Sequence, residues 1–425
     1  MNKTAGKKAL ALVLAAGMLC PLTAYAYEEE ELVQEIINSG YYAVIDEEDY
    51  YDAFEQFDAQ TAQAVAEQGS AALEKELFAK SAVLVSLDTG ETLFAMNENE
   101  PMPPASITKV MTLLLVMEAL DEGKISYDDT VVASAHACSM GGSQIWLKEN
   151  EQMTVEELLK AAAVASANDA SVALAEHVAG SEESFVALMN QRAQELGMEN
   201  THFVNATGLD AEGHVSTARD ISIMSAELLK HEGIRKYTST WMDSLRDGAT
   251  SLVNTNKLVR FYKGATGLKT GTTDGAGSCL SATATRDGVS FVAVVMGCDT
   301  SDHRFASART LLDYGFANYT VYSFSGEELA IPPVPVTLGE ETEVQGQAVA
   351  VEPLLLKKGQ EKLVTTEIQM VESLEAPVLP GQQIGTLVLR VEEEELGRYP
   401  ITAQAEVKAR GLGFCLRKLL GAFRD

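Results

Sequence analysis

The stretch Ser106-Ile107-Thr108-Lys109 constrains this chain more than any other. It places a serine and a lysine three residues apart at the head of the most apolar helix-like run, residues 107–120. That spacing puts both side chains on one helical face. A hydroxyl is a weak nucleophile at neutral pH and needs a neighbouring base. A lysine can serve once burial or nearby cations lower its pKa. Pro103 and Pro104 stop any preceding helix, so the helix is expected to begin at Ser106, where the positive end of its dipole favours developing negative charge. Alone, a Ser-x-x-Lys pair is a weak signal, its plain alternative being a serine that caps a helix.

The rest of the chain narrows the setting. Residues 1–26 have a basic start (Lys3, Lys7, Lys8), an apolar centre over residues 9–19 and the small-x-small sequence Ala24-Tyr25-Ala26, which together predict a secretory leader cleaved after Ala26. Leu19 before Cys20 is not the small residue of a lipoprotein site, and no later run approaches the roughly 18 apolar residues needed to span a bilayer. The net charge is −30, and −33 once a leader with three lysines and no acids is lost, which argues against nucleic acid as a partner. Outside the leader, Cys138, Cys279, Cys298 and Cys415 show neither Cys-x-x-Cys nor zinc-like spacing. Cys279 and Cys298 fall on the two arms of an expected hairpin and read either as neighbours or as two buried free thiols. Six scattered histidines without a His-Glu-x-x-His pair disfavour a zinc hydrolase, and no metal site is expected.

Residues 27–77 hold fifteen acidic side chains against Lys75 alone and read as a loosely ordered or helical acidic lead-in. Residues 81–87 alternate towards Asp88-Thr89-Gly90, and residues 91–96 follow, which predicts two strands around a tight turn. Thr154 with Glu157 predicts a capping box that opens a helix over 155–164. This runs into Ser166-Ala167-Asn168, an expected turn before a third helix over 169–179, and residues 180–250 read as mostly helical, most clearly over 216–229. Residues 264–271, 279–285 and 289–296 read as an antiparallel meander, with a helix over 304–314 packed on it. From residue 321 to 408 prolines and glycine turns replace helical periodicity, and an all-β domain is expected. Over residues 409–425, Leu412, Leu416, Leu419, Leu420 and Phe423 recur at helical spacing opposite Arg410, Arg417, Lys418 and Arg424. The tail reads either as a basic amphipathic helix for a membrane surface or as a helix docked on its own domain.

Three short motifs thus stand in order: Ser106-x-x-Lys109 at a helix start, Ser166-x-Asn168 at an interhelical turn and Lys269-Thr270-Gly271 on a strand. Each has a bland alternative, but their joint occurrence in these settings is specific. The set resembles the penicillin-recognising serine acyltransferases, and more narrowly the low-molecular-mass penicillin-binding proteins that act as D-alanyl-D-alanine carboxypeptidases, peptidase family S11. The likeness covers about residues 80–408 and is supported by Ala165-Ser166-Ala167-Asn168-Asp169-Ala170, by Gly208-Leu209-Asp210 with Ser216-Thr217-Ala218-Arg219-Asp220, and by Gly267-Leu268-Lys269-Thr270-Gly271.

The resemblance implies an α+β fold: a transpeptidase-like domain of an antiparallel sheet and a helical subdomain over 78–320, a small β-sandwich over 321–408 and the amphipathic tail over 409–425. It implies attack by Ser106 on the penultimate D-alanine carbonyl of a peptidoglycan stem peptide, with Lys109 as base and Ser166 as proton relay to the departing amine. Asn168 would hold the substrate amide, and the backbone N–H groups of Ser106 and Thr272 would form the oxyanion hole. Lys269, Thr270 and Arg304 would receive the terminal carboxylate. β-Lactams would acylate Ser106, no cofactor is implied, and the protein would work on the wall-facing side of the bacterial plasma membrane. Thr272 and Ser278 depart from the usual pattern, which more often has an aromatic residue at 278. Two alternatives stand beside this reading: a class A-like β-lactamase, for which no clear Glu-x-x-Leu-Asn segment follows Asn168, and a non-catalytic penicillin-binding wall protein.

Overall fold

The computed structural model describes residues 70–324 and 329–422. The expected leader, the acidic lead-in up to residue 69 and the last three tail residues lie outside the described residues. Five strands, β1 Ser81–Ser86, β2 Thr92–Met96, β3 Ala265–Thr273, β4 Gly277–Arg286 and β5 Val289–Cys298, form one antiparallel sheet in the order β2-β1-β5-β4-β3. The β1–β2 and β4–β5 turns use residues that accept positive φ, namely Gly90 (74°), Asp287 (50°) and Gly288 (79°). All of β1 is buried rather than alternating as its sequence suggests. Both of its faces are covered: Val83 and Val85 join one core, Ala82 and Leu84 another.

The longer helices are α1 Lys109–Asp121, α2 Val155–Val164, α3 Asn168–Ala179, α4 Glu182–Glu195, α5 Ala218–Leu228 and α6 Ser301–Asn318. On one side of the sheet α6 packs Phe305, Ala308, Leu311 and Leu312 against Leu84, Phe291 and Ala293. On the other lies the helical layer, with α1 at its centre and buried on nearly every side, which is why its sequence is apolar all round. The capping box of α2 forms: Thr154 Oγ1 accepts from Glu157 N (3.2 Å) and the Glu157 carboxylate from Thr154 N (2.9 Å).

Three local expectations are corrected. Ser106 does not open the α-helix; it sits in a 3₁₀ turn, Ala105–Thr108, and α1 begins at Lys109. Ala105 at φ 48° bends the chain after the prolines, and Ile107 N closes a three-residue turn on Pro104 O (3.2 Å). Asn168 is the first residue of α3 rather than part of the turn before it. Within the mostly helical stretch, Met242–Leu245 and Thr250–Val253 pair as a β-hairpin.

After α6 the chain is built from strands. Tyr319–Tyr322 pairs with Leu354–Lys357. A three-stranded sheet centred on Val334–Thr337 and a four-stranded sheet containing Gln383–Val391 and Glu394–Ala403 share one core of Val334, Val336, Ile384, Leu387, Leu389 and Ile401. The tail helix α7, Leu412–Ala422, exposes Leu412 (84%), Leu416 (54%) and Leu419 (58%), so these leucines are not docked on the domain that precedes them. No described helix is long and apolar enough to cross a membrane.

The loop over residues 204–214 is pressed against the turn that carries Ser106. Gly208, at φ 84°, leaves no room for a side chain: a Cβ there would lie 1.8 Å from Ala105 O and 2.8 Å from Thr108 Oγ1. Gly208→Ala is expected to lower unfolding stability by about 1–3 kcal/mol or more through overpacking and strain. A urea titration measures this, and a variant as stable as the parent would show that the turn yields freely.

Candidate active site

The residues of the three motifs come from the 3₁₀ turn, α1, the α2–α3 junction, α3 and β3, and Lys109 joins Ser106 to Asn168 while β3 stands against the Ser106 turn. Lys109, at the start of α1 and fully buried, directs Nζ to Ser106 Oγ (3.1 Å), Asn168 Oδ1 (2.5 Å) and the Thr207 carbonyl (2.8 Å). Burial, and then the positive charge of Lys269, hold its pKa well below the ordinary lysine value. A neutral amine has two hydrogens and one lone pair. Two acceptors, Asn168 Oδ1 and Thr207 O, take the hydrogens, and the lone pair is left for the Ser106 hydroxyl.

Ser166 lies between α2 and α3 at φ 61°, a strained backbone for a residue with a side chain, and is 4% exposed. Two residues on, Asn168 is held at three points: its N–H donates to Ser143 O (2.7 Å), Nδ2 donates to Gly141 O (2.6 Å) and Oδ1 accepts from Lys109. One Nδ2 hydrogen remains for a ligand.

On the other side runs β3, an edge strand whose outer backbone groups have no neighbouring strand among the described residues. Gly271 makes its close approach possible, since a Cβ there would stand 2.9 Å from Pro104 O and 3.0 Å from Ser106 N. Lys269 is buried and donates to Thr270 O (2.9 Å), while Thr270 Oγ1 bonds Thr255 Oγ1 (2.6 Å). Burial first, and Arg304 second, bring the Lys269 pKa down to about 7. Arg304, on the first turn of α6, donates through Nη1 to Thr272 Oγ1 (2.7 Å) and Gly271 O (3.2 Å) and through Nη2 to Ser301 Oγ (3.1 Å). Its Nε is buried without a partner. Lys269 and Arg304 thus form a positive pair in an acidic protein, suited to a carboxylate.

Several supporting residues escape a reading by motif. Asp169, fully buried, accepts from Ile145 N (3.2 Å), Leu147 N (3.0 Å) and Ala170 N (2.9 Å), and so ties the loop over 141–147 to the start of α3. Its place beside Asn168 in a first helical turn is the one local signal for it. His214 accepts from Val204 N at Nδ1 (3.2 Å), so its Nε2–H donates to Thr108 Oγ1 (2.8 Å). Burial pushes its pKa down to about 4, which keeps the ring neutral at physiological pH. Thr207 contributes only its carbonyl, which no side-chain pattern can reveal. Cys279 and Cys298 are both free and buried, and they belong to different cores on the two faces of the sheet.

The family described as D-alanyl-D-alanine carboxypeptidase matches residues 66–300, and the C-terminal domain of penicillin-binding protein 5 matches residues 324–409. The D-alanyl-D-alanine carboxypeptidase DacF of Bacillus subtilis is 46% identical over 81% of this chain and 89% of its own length. DacC of Escherichia coli is 32% identical over 78% and 85%. Among solved structures, penicillin-binding protein 5 of Haemophilus influenzae superposes with a TM-score of 0.69 at 31% identity, covering 78% of this chain and 98% of that one. Penicillin-binding protein D2 of Listeria monocytogenes in its ampicillin-bound form gives 0.52 at 34% identity over 56% of this chain and 98% of its own. With the serine, its buried amine and the edge strand arranged as above, the chain belongs to the D-alanyl-D-alanine carboxypeptidases of peptidase family S11.

Proposed function

We propose that this D-alanyl-D-alanine carboxypeptidase removes the terminal D-alanine of peptidoglycan stem peptides through an ester on Ser106. The observation that carries the reading is the buried Lys109 amine, with its lowered pKa, 3.1 Å from Ser106 Oγ. Lys109 takes the Ser106 proton as Oγ bonds to the penultimate D-alanine carbonyl. The resulting oxyanion accepts from the N–H groups of Ser106 and Thr272 on either side of the narrow gap that Gly271 permits. When the C–N bond breaks, Lys109 returns the proton through the Ser166 hydroxyl to the departing D-alanine amine. Water then hydrolyses the ester. The free Nδ2 hydrogen of Asn168 holds the stem amide, and Lys269, Thr270 and Arg304 receive the carboxylate of the leaving residue.

β-Lactams occupy the same place and acylate Ser106, a reading supported by the ampicillin- and cefotaxime-bound Listeria relatives. The β-lactamase alternative is not favoured, because the family match continues into a penicillin-binding protein C-terminal domain. The chain is exported by its leader, and α7 holds it to the outer face of the plasma membrane, its exposed leucines in the acyl boundary and its cations near anionic headgroups.

Ser106→Ala is expected to abolish both D-alanine release from a D-Ala-D-Ala pentapeptide, read by mass spectrometry, and labelling by a fluorescent penicillin. Persistent labelling would place the nucleophile elsewhere.

Acylation requires Lys109 neutral and Lys269 charged, so kcat/KM should rise as Lys109 loses its proton and fall as Lys269 loses its own, a pair of apparent values belonging to the coupled site. Lys269→Arg, whose guanidinium stays protonated, should move the falling limb to higher pH. An unmoved limb in the pH–rate profile would remove Lys269 from this role.

Leu416→Asp with Leu419→Asp, in the full chain, should lose most binding to vesicles containing anionic lipid. Equal sedimentation with vesicles would sink the membrane reading.

A further inference from the structure

We propose that Asp210 is a positioning residue: it latches the β3–β4 turn to the loop beside Ser106 and so sets the distance between the Thr272 N–H and the Ser106 hydroxyl. The proposal rests on the carboxypeptidase reading only for its effect on rate.

Asp210 spans the gap between two parts of the fold. Its Oδ1 accepts from Thr273 Oγ1 (2.6 Å) and its Oδ2 from Gly275 N (3.3 Å), while Thr273 Oγ1 accepts in turn from Ala276 N (3.1 Å). One carboxylate thereby gathers the turn that ends β3. Gly275 lets the backbone come this close, since a Cβ there would lie 3.3 Å from the same carboxylate.

The other end of the latch is firmly seated. Asn205 Oδ1 accepts from Thr207 N (3.1 Å) and Gly208 N (2.7 Å), and Asn205 Nδ2 donates to Leu209 O (2.9 Å). Thr207 O accepts from Lys109, and Gly208 is wedged on Ala105 O. The loop that carries Asp210 therefore moves with the nucleophile and its base. The end of β3, by contrast, has no strand on its outer side among the described residues, and Thr272 is exposed. Between Ser106 and Thr272 the cleft is spanned by the Gly271 contact and, just beyond Thr272, by Asp210.

Hydrogen bonds at an exposed site contribute little to global stability. Their loss should therefore show in rate and local motion, not in unfolding. The second-order rate of acylation by a fluorescent penicillin is expected to fall about tenfold in Asp210→Ala and to a similar extent in Thr273→Val, with the double variant no slower than the slower single. Asp210→Asn keeps an oxygen for Thr273 and should recover much of the loss, and all four variants should melt within about 2 °C of the parent. Independently of any turnover, amide hydrogen exchange over residues 271–277 should quicken in Asp210→Ala. An Asp210→Ala rate within twofold of the parent, losses that multiply in the double variant, or unchanged exchange would overturn the latch. An unlabelled parent protein would instead strike at the carboxypeptidase reading and leave the exchange result to decide the latch.

Discussion

Burying the amine of Lys109 takes a group out of water that would otherwise be a solvated ammonium, and the layers around it make that tolerable. The fully buried nitrogen finds Thr207 O, Asn168 Oδ1 and Ser106 Oγ, so no hydrogen-bonding capacity is wasted. Lys269 nearby adds like charge, and both effects favour the neutral form. The sign of the linkage follows. A lysine whose folded pKa lies below its unfolded value binds fewer protons when folded. The penalty is therefore fully present below the folded pKa, near pH 7 for Lys269, and fades as pH rises towards the ordinary lysine value. At neutral pH the apolar cores on both faces of the sheet must carry that penalty, and α1, buried nearly all round, is the element that sets Lys109 within them.

Lys269, together with Arg304, reconciles an acidic protein with an anionic substrate. The net charge of −30 repels a carboxylate at long range, but salt screens exposed charges beyond about 10 Å. Inside the cleft, Lys269 and Arg304 are buried beside the neutral Lys109, and the potential there is theirs. Arg304 is oriented by Thr272 and Ser301 and keeps an unpaired Nε. Thr272 thus supplies a hydroxyl that steadies the guanidinium, a link that an aliphatic side chain could not make.

What could be read from the sequence follows the range of the interactions. The capping box at Thr154 and Glu157 and the β4–β5 hairpin at Asp287-Gly288 are local, and local chemistry specifies them. The serine–lysine pair was legible because three-residue spacing survives the change from α-helix to 3₁₀ turn. The turn itself was not, because it depends on β3 arriving from residues 265–273. Period-two alternation failed along β1 because helices cover both faces, a tertiary circumstance. Asp169 reaches backbone N–H groups 22 and 24 residues away in sequence, His214 a hydroxyl 106 residues away, and Thr207 acts through a carbonyl. No spacing rule reaches such contacts.

Two glycines show how the site is assembled from distant pieces. Gly271 lets β3 come within contact of Ser106 N, and Gly208 lets the 204–214 loop come within contact of Ala105 O, so the nucleophile's turn is held between two backbones. Any side chain at either place would push one wall away. The left-handed φ of Ala105 belongs to the same arrangement, since the chain must bend there to offer the Ser106 N–H to the strand and its carbonyl neighbour to the loop. Strain, close approach and the buried base are thus one device: the geometry that lets Lys109 reach Ser106 is the geometry that lets β3 face it.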